Sequence, residues 1–133
     1  MGMKSRTKGK AGEREIAALL RDLTAHEVRR RVRQREGDSD LEGMPGWCIE
    51  VKRHARATRA DIARWWGQAT AQAARDGGRP VLFYRQDRDE WRAVWPLTVA
   101  LAVESAWDGY EWTTEGAPEA WAAVFRETMG ESR

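Results

Sequence analysis

Glu50 and Lys52 stand two residues apart in the run "GWCIEVKRH", residues 46–54. In an extended strand that spacing puts both on one face with Cys48, opposite Trp47, Ile49 and Val51. Alone, such a pair is what the wet face of a half-buried strand carries. Two further acids change its meaning. Glu13 lies at the edge of an apolar helical stripe, and Asp40 follows a Gly-Asp-Ser turn ten residues before Glu50. Antiparallel strands joined at Met44-Pro45-Gly46 would bring Asp40 up to Glu50. Facing carboxylates repel and are costly to bury uncompensated, so a cation belongs between them. Cys48 is the only cysteine, with His26 and His54 the only histidines, so no thiolate zinc site can form. Oxygen ligands suit Mg2+ or Mn2+, which keep several waters and take one or two protein carboxylates. Lys52 beside them would orient a metal-bound water and help lower its pKa.

The elements that must position these residues are legible from periodicity. From Gly12 the pattern is helical, with Ile16, Leu19, Leu20 and Leu23 at i, i+3, i+4 and i+7. Residues 27–33, "EVRRRVR", alternate as a strand with a basic face. Turn formers fill 34–46 around a very short strand at Asp40–Glu42, and the strand at 46–54 follows. Thr58 and Asp61 form a short-acid capping box for a helix whose apolar face is Ile62, Trp65, Trp66, Ala69 and Ala73, ended by Gly77-Gly78. Strands at 80–85 and 91–95 pair across "QDRDE", and helices are expected at 97–107 and 118–128.

With 133 residues, 41% of them hydrophobic, the chain suits one domain. No run is long enough to span a bilayer, and "MGMKSRTKGKAGERE" lacks the apolar stretch of a signal peptide, so a cytoplasmic protein is expected. The net charge of +2 hides an asymmetry: residues 1–35 carry +7 and residues 97–133 carry −5. Such a basic third gains affinity for polyanions by releasing their counterions, which points to nucleic acid. Lys8, Lys10, Arg29, Arg30, Arg31, Arg33, Arg35 and Arg53 are the candidate phosphate contacts. Of the eight tryptophans, Trp47, Trp65, Trp66, Trp91 and Trp95 sit in apolar patterns and are read as core.

Taken together, "SDLEGMPGWCIEVKRH" resembles the core of the PD-(D/E)XK nuclease superfamily: Asp40, a hydrophobic strand, then Glu50-Val51-Lys52 as E-x-K. "GKAGEREIAALL" resembles the first helix of its Holliday junction resolvase-like branch, with Glu13 as the helix glutamate. "WWGQA" at 65–69 is similar to the helix after E-x-K in phage-encoded members, where a glutamine, here Gln68, faces the site. The resemblance covers about residues 8–95 and implies an α/β, restriction-endonuclease-like fold, a central mixed sheet flanked by helices. It implies a single nuclease domain: a flexible basic arm at 1–10, the nuclease core at 11–96, and an acidic helical extension at 97–133.

It further implies Mg2+ (or Mn2+) held by Asp40, Glu50 and the Val51 carbonyl, with Glu13 binding directly or through water. Asp38 and Glu42 flank Asp40, and either could share the metal with it. Lys52 positions the nucleophile, Gln68 completes the catalytic set, and a phosphodiester is hydrolysed. The expected substrate is branched DNA, cut by a homodimer with no small-molecule cofactor, in the host cytoplasm if the chain is phage-encoded. A restriction-type or nicking nuclease of the same fold, or a non-catalytic nucleic-acid-binding subunit, are the alternatives.

Overall fold

A computed structural model describes residues 2–31, 40–100 and 109–130. The first helix, α1 (Gly2–Thr24), already includes the residues expected to form a flexible arm. Lys, Arg and Met are good helix formers, and a helix nucleated by the amphipathic turns beyond Gly12 extends by one backbone hydrogen bond for each residue added. An apolar stripe is needed to dock the helix, not to continue it. Ile16, Ala17 and Leu20 supply that stripe and are buried. At the other end the Thr24 hydroxyl donates to the Leu20 carbonyl at 2.7 Å, and the chain turns out of the helix.

A six-stranded sheet in the order β1-β2-β3-β4-β5-β6 forms the centre: β1 (Arg29–Arg30), β2 (Leu41–Glu42), β3 (Trp47–His54), β4 (Arg79–Gln86), β5 (Arg92–Pro96) and β6 (Thr113–Gly116). All neighbours are antiparallel except β3 and β4, which run parallel from Trp47↔Arg79 to His54↔Gln86. A parallel pair needs a crossover, and α2 (Arg59–Asp76) provides it. Its expected boundaries are those observed: Thr58 and Asp61 make a reciprocal capping box, and Gly77 ends the helix at φ 80°.

The α/β fold class is therefore the one expected, a mixed sheet with helices on both faces. Ile49 and Val51 of β3, Val81 and Phe83 of β4, and Ala93 and Trp95 of β5 pack with α1 and with Trp121 and Phe125 of α4 (Pro118–Met129). Leu82, Tyr84 and Val94 pack on the other face against Ile62, Trp65, Trp66 and Ala69 of α2. Trp47, Trp65, Trp66 and Trp95 are buried and Trp91 packs partly buried against the core, as the periodicity predicts. Among the described residues no helix is long and apolar enough to cross a membrane.

Two boundaries differ from the sequence expectation. The strand predicted at 27–33 is assigned only over Arg29–Arg30, and residues 32–39 lie outside the described part. The extension at 97–133 is not purely helical. Helix α3 covers Leu97–Ala100, residues 101–108 are outside the described part, and after a 3-10 turn at Tyr110–Trp112 the chain adds β6 to the sheet. "TTEG" has no apolar alternation because an edge strand needs little burial. Its place is set by pairing with β5 and by Gly116 lying against the Trp95 ring.

Gly43, between β2 and β3, has φ +105°, and a Cβ added there would collide with the Glu27 carbonyl ahead of β1. Both the backbone conformation and the close approach require glycine. Gly43→Ala is expected to destabilise the fold by more than about 2 kcal/mol, measured by urea unfolding, since strain and backbone collision combine. A loss under about 0.5 kcal/mol would show that the β1–β2 junction is not built as described.

Candidate active site

The site starts where β2 ends. Leu41 pairs with Ile49, the Asp40 N–H donates to the Ile49 carbonyl at 3.0 Å, and the Arg31 N–H donates to the Asp40 carbonyl at 3.2 Å. Held on both sides, Asp40 turns its carboxylate to the next open position on β3, where Oδ2 accepts the Val51 N–H at 2.7 Å. In a strand the N–H and C=O of one residue point to the same edge, so the Val51 carbonyl is also directed to this fork.

Glu50 and Lys52 share the α2 face of β3, as the alternation predicts. Glu50 is buried, and its Oε2 lies 3.5 Å from the Lys52 ammonium. Burial raises the Asp40 carboxyl most, followed by the Glu50 charge; the Val51 N–H opposes them, Glu13 adds to the rise, and the result is a pKa of about 7. Burial also raises Glu50, opposed by Lys52. Two carboxyls reluctant to ionise side by side are a pair that a cation would relieve.

Glu13 contributes to this field from α1: its charge raises both Asp40 and Glu50. Its own Oε1 accepts the Arg30 Nε–H at 2.8 Å. Among the described residues no three His, Cys, Asp or Glu side chains are grouped to hold a metal. What the fork offers is a pair of carboxylates and a backbone carbonyl, and this suits Mg2+ or Mn2+, which fill the remaining positions with water.

The structure redistributes several residues expected to meet DNA. Arg30 is paired with Glu13, Arg29 with Glu42 at 3.2 Å, and Arg53 with Glu15 at 3.0 Å. Arg31 contributes its backbone to the Asp40 anchor, and Lys10 is exposed. The Lys8 side chain, Arg33, Arg35 and Asp38 lie outside what is described. Glu42, on β2, accepts the Arg29 Nε–H. Gln68 is exposed on α2, whereas Gln72, one turn on, is buried with its Nε2 lacking a partner.

Glu15 was not singled out by its sequence pattern, yet it fastens α1 across the sheet. Its carboxylate accepts Arg53 of β3, Arg85 of β4 at 2.8 Å and the Trp91 indole N–H at 3.0 Å. Gly12 makes that approach possible, because a Cβ there would sit 3.0 Å from the Arg53 Cβ and 3.4 Å from the Trp91 ring. The i, i+2 acids of α1 thus divide: Glu15 docks the helix, and Glu13 faces the fork. Long-range partners of this kind leave no periodic signal.

A family model described as "Phage putative PDDEXK endonuclease" matches residues 4–115. Protein D14 of Escherichia phage T5 is 26% identical over 112 aligned positions, which cover 68% of this chain and 70% of that protein. Among solved structures, Archaeoglobus fulgidus Hjc, a Holliday junction resolvase from an archaeal hyperthermophile, overlays with a TM-score of 0.49 at 16% identity, covering 95% of this chain and 98% of that one.

Proposed function

Because the chain belongs to the phage PDDEXK endonuclease family, we propose that it hydrolyses DNA phosphodiesters with a divalent metal held by Asp40, Glu50 and the Val51 carbonyl. The observation that carries this reading is the fork itself: a carboxylate, Asp40, anchored at the Val51 N–H, a second buried one, Glu50, on the residue before Val51, and a lysine 3.5 Å from it. A bound Mg2+ or Mn2+ would supply Lewis-acid stabilisation of the negative charge that develops on the nonbridging and leaving oxygens. Asp40 and Glu50 would hold that ion. Lys52 fixes Glu50 and presents its ammonium to the attacking water and the scissile phosphate. Glu13 adds negative potential, held in place by Arg30.

The likeness of "GKAGEREIAALL" to a resolvase first helix supports branched DNA as the substrate. Symmetric cutting of two strands then supports a homodimer. The test is cleavage of matched four-way, flap and linear duplexes. Turnover is expected with Mg2+ or Mn2+ and is expected to stop in EDTA, while Ca2+ supports binding without turnover because it tolerates looser coordination. Full activity in excess chelator would exclude the metal role, and equal cleavage of all three substrates would exclude branch selectivity.

A further inference from the structure

We propose that Gln72 is a positioning residue for Glu50, donating its amide N–H to the Glu50 carboxylate when a divalent ion is held there, an assignment that rests on the nuclease reading above. Gln72 is only 5% exposed, and among the described residues its Nε2 has no hydrogen-bond partner. Leaving a buried donor unpaired costs stability, and an apolar side chain of the same length would avoid that cost. A donor kept under those conditions calls for an acceptor.

The fold directs Gln72 at the row of Glu50 and Lys52. Helix α2 is tied to β3 at two points. Trp65 stacks on the His54 ring with centroids 4.8 Å apart, and Gly78, just past the helix, lies so close to Cys48 that a Cβ on it would sit 2.7 Å from the Cys48 Sγ. Later residues of α2 thus meet earlier residues of β3, and Gln72, midway between the two ties, comes level with the middle of the stretch from Cys48 to His54. On the α2 face of β3 the residues at that level are Glu50 and Lys52. Direction agrees with level. Seven residues fall within about 20° of two full helical turns, so Gln72 leaves α2 on the same side as Trp65, toward β3.

Of these two only Glu50 can accept, since an ammonium carries donors and no lone pair. Its Oε2 lies 3.5 Å from Lys52, and an ionised carboxylate has room for several further bonds. Carboxylates that ligate a metal are themselves held by hydrogen bonds from side chains behind them, which fixes the oxygen presented to the ion. Gln72 suits that place, whereas Gln68, one turn earlier, is exposed. The Glu50 carboxylate is then braced by Lys52 along its own strand and by Gln72 from the helix that covers it.

Gln72→Met and Gln72→Leu keep an apolar side chain of similar bulk in place and remove the donor. Binding of Mn2+ alone to the full chain, without DNA, is followed by loss of the free-ion EPR signal, and urea unfolding is measured without added metal. Both variants are expected to bind Mn2+ about ten- to hundredfold more weakly than wild type. They should unfold at the same urea concentration as wild type or a higher one, because an unpaired buried donor has gone. The Mn2+ concentration for half-maximal DNA cleavage should rise by a similar factor, with turnover recovered at saturating Mn2+. Wild-type Mn2+ affinity in both variants would overturn the assignment. So would earlier unfolding of both in urea, which would make Gln72 a structural residue satisfied within the fold. A wild-type chain that neither binds Mn2+ nor cleaves any of the DNAs with it would overturn the nuclease reading itself, and the role of Gln72 with it.

Discussion

Glu50→Gln is expected to abolish metal-dependent cleavage, by at least three orders of magnitude for loss of a ligand to the catalytic ion, while the protein stays folded and still binds DNA. The substitution is nearly isosteric. It removes one of two acids whose ionisation burial already opposes, so Asp40 loses the second largest influence holding its carboxyl at about 7 and ionises more readily. Even with Asp40 ionised the fork then carries one carboxylate in place of two and is less negative, although the metal loses a ligand. Phosphate approaching Lys52, which no longer has a carboxylate 3.5 Å away, meets less repulsion and a freer ammonium. Affinity for DNA should hold or tighten. Single-turnover cleavage and equilibrium binding, measured on the same preparation, separate the two effects. Near-normal cleavage would remove Glu50 from the chemistry and leave it as a buried strand residue.

How much of this was legible in the sequence differed by element. The E-x-K strand and its faces follow from alternation, and the capping box of α2 follows from Thr58 and Asp61, because both signals are local. Asp40 was found by its turn and its distance from Glu50, and the observed Val51 N–H bond supplies what spacing could not: the reason that this acid is anchored at the fork. The first turns of α1 and the strand β6 are hard to read for the same reason, since neither sequence carries an apolar stripe of its own. The arginines show a different limit. "RRRVRQR" reads as one basic surface, yet Arg29 and Arg30 face Glu42 and Glu13, partners 13 and 17 residues away. Charge density in a sequence gives the field a segment can produce; which charges reach a ligand depends on acids that tertiary packing brings alongside.

Asp40→Asn extends the test from chemistry to stability, with effects of opposite sign. Asparagine keeps an oxygen to accept the Val51 N–H and removes the charge that the metal needs, so cleavage is expected to be lost. The metal-free protein should nonetheless become more stable at pH 8. In the folded chain Asp40 holds its proton up to about pH 7, against an ordinary value of 3.8, so between those limits the folded state binds more protons than the unfolded one. Stability from this group is full below pH 3.8, falls as pH rises through about 7, and is then level. At pH 8 wild type carries the whole cost of ionising Asp40 in a buried site beside Glu50, and the variant carries none. The expected gain is on the order of 1–3 kcal/mol by urea unfolding, shrinking toward zero near pH 4. Some slope remains in the variant because burial raises Glu50 in the same direction. Added Mg2+ should reverse the ranking: it stabilises wild type in proportion to the logarithm of its concentration over Kd and leaves Asp40→Asn nearly unmoved. An Asp40→Asn protein less stable than wild type at pH 8 without metal would show that the Asp40 carboxylate is a structural anchor. A stabilised variant that still responds fully to Mg2+ would place the ion elsewhere.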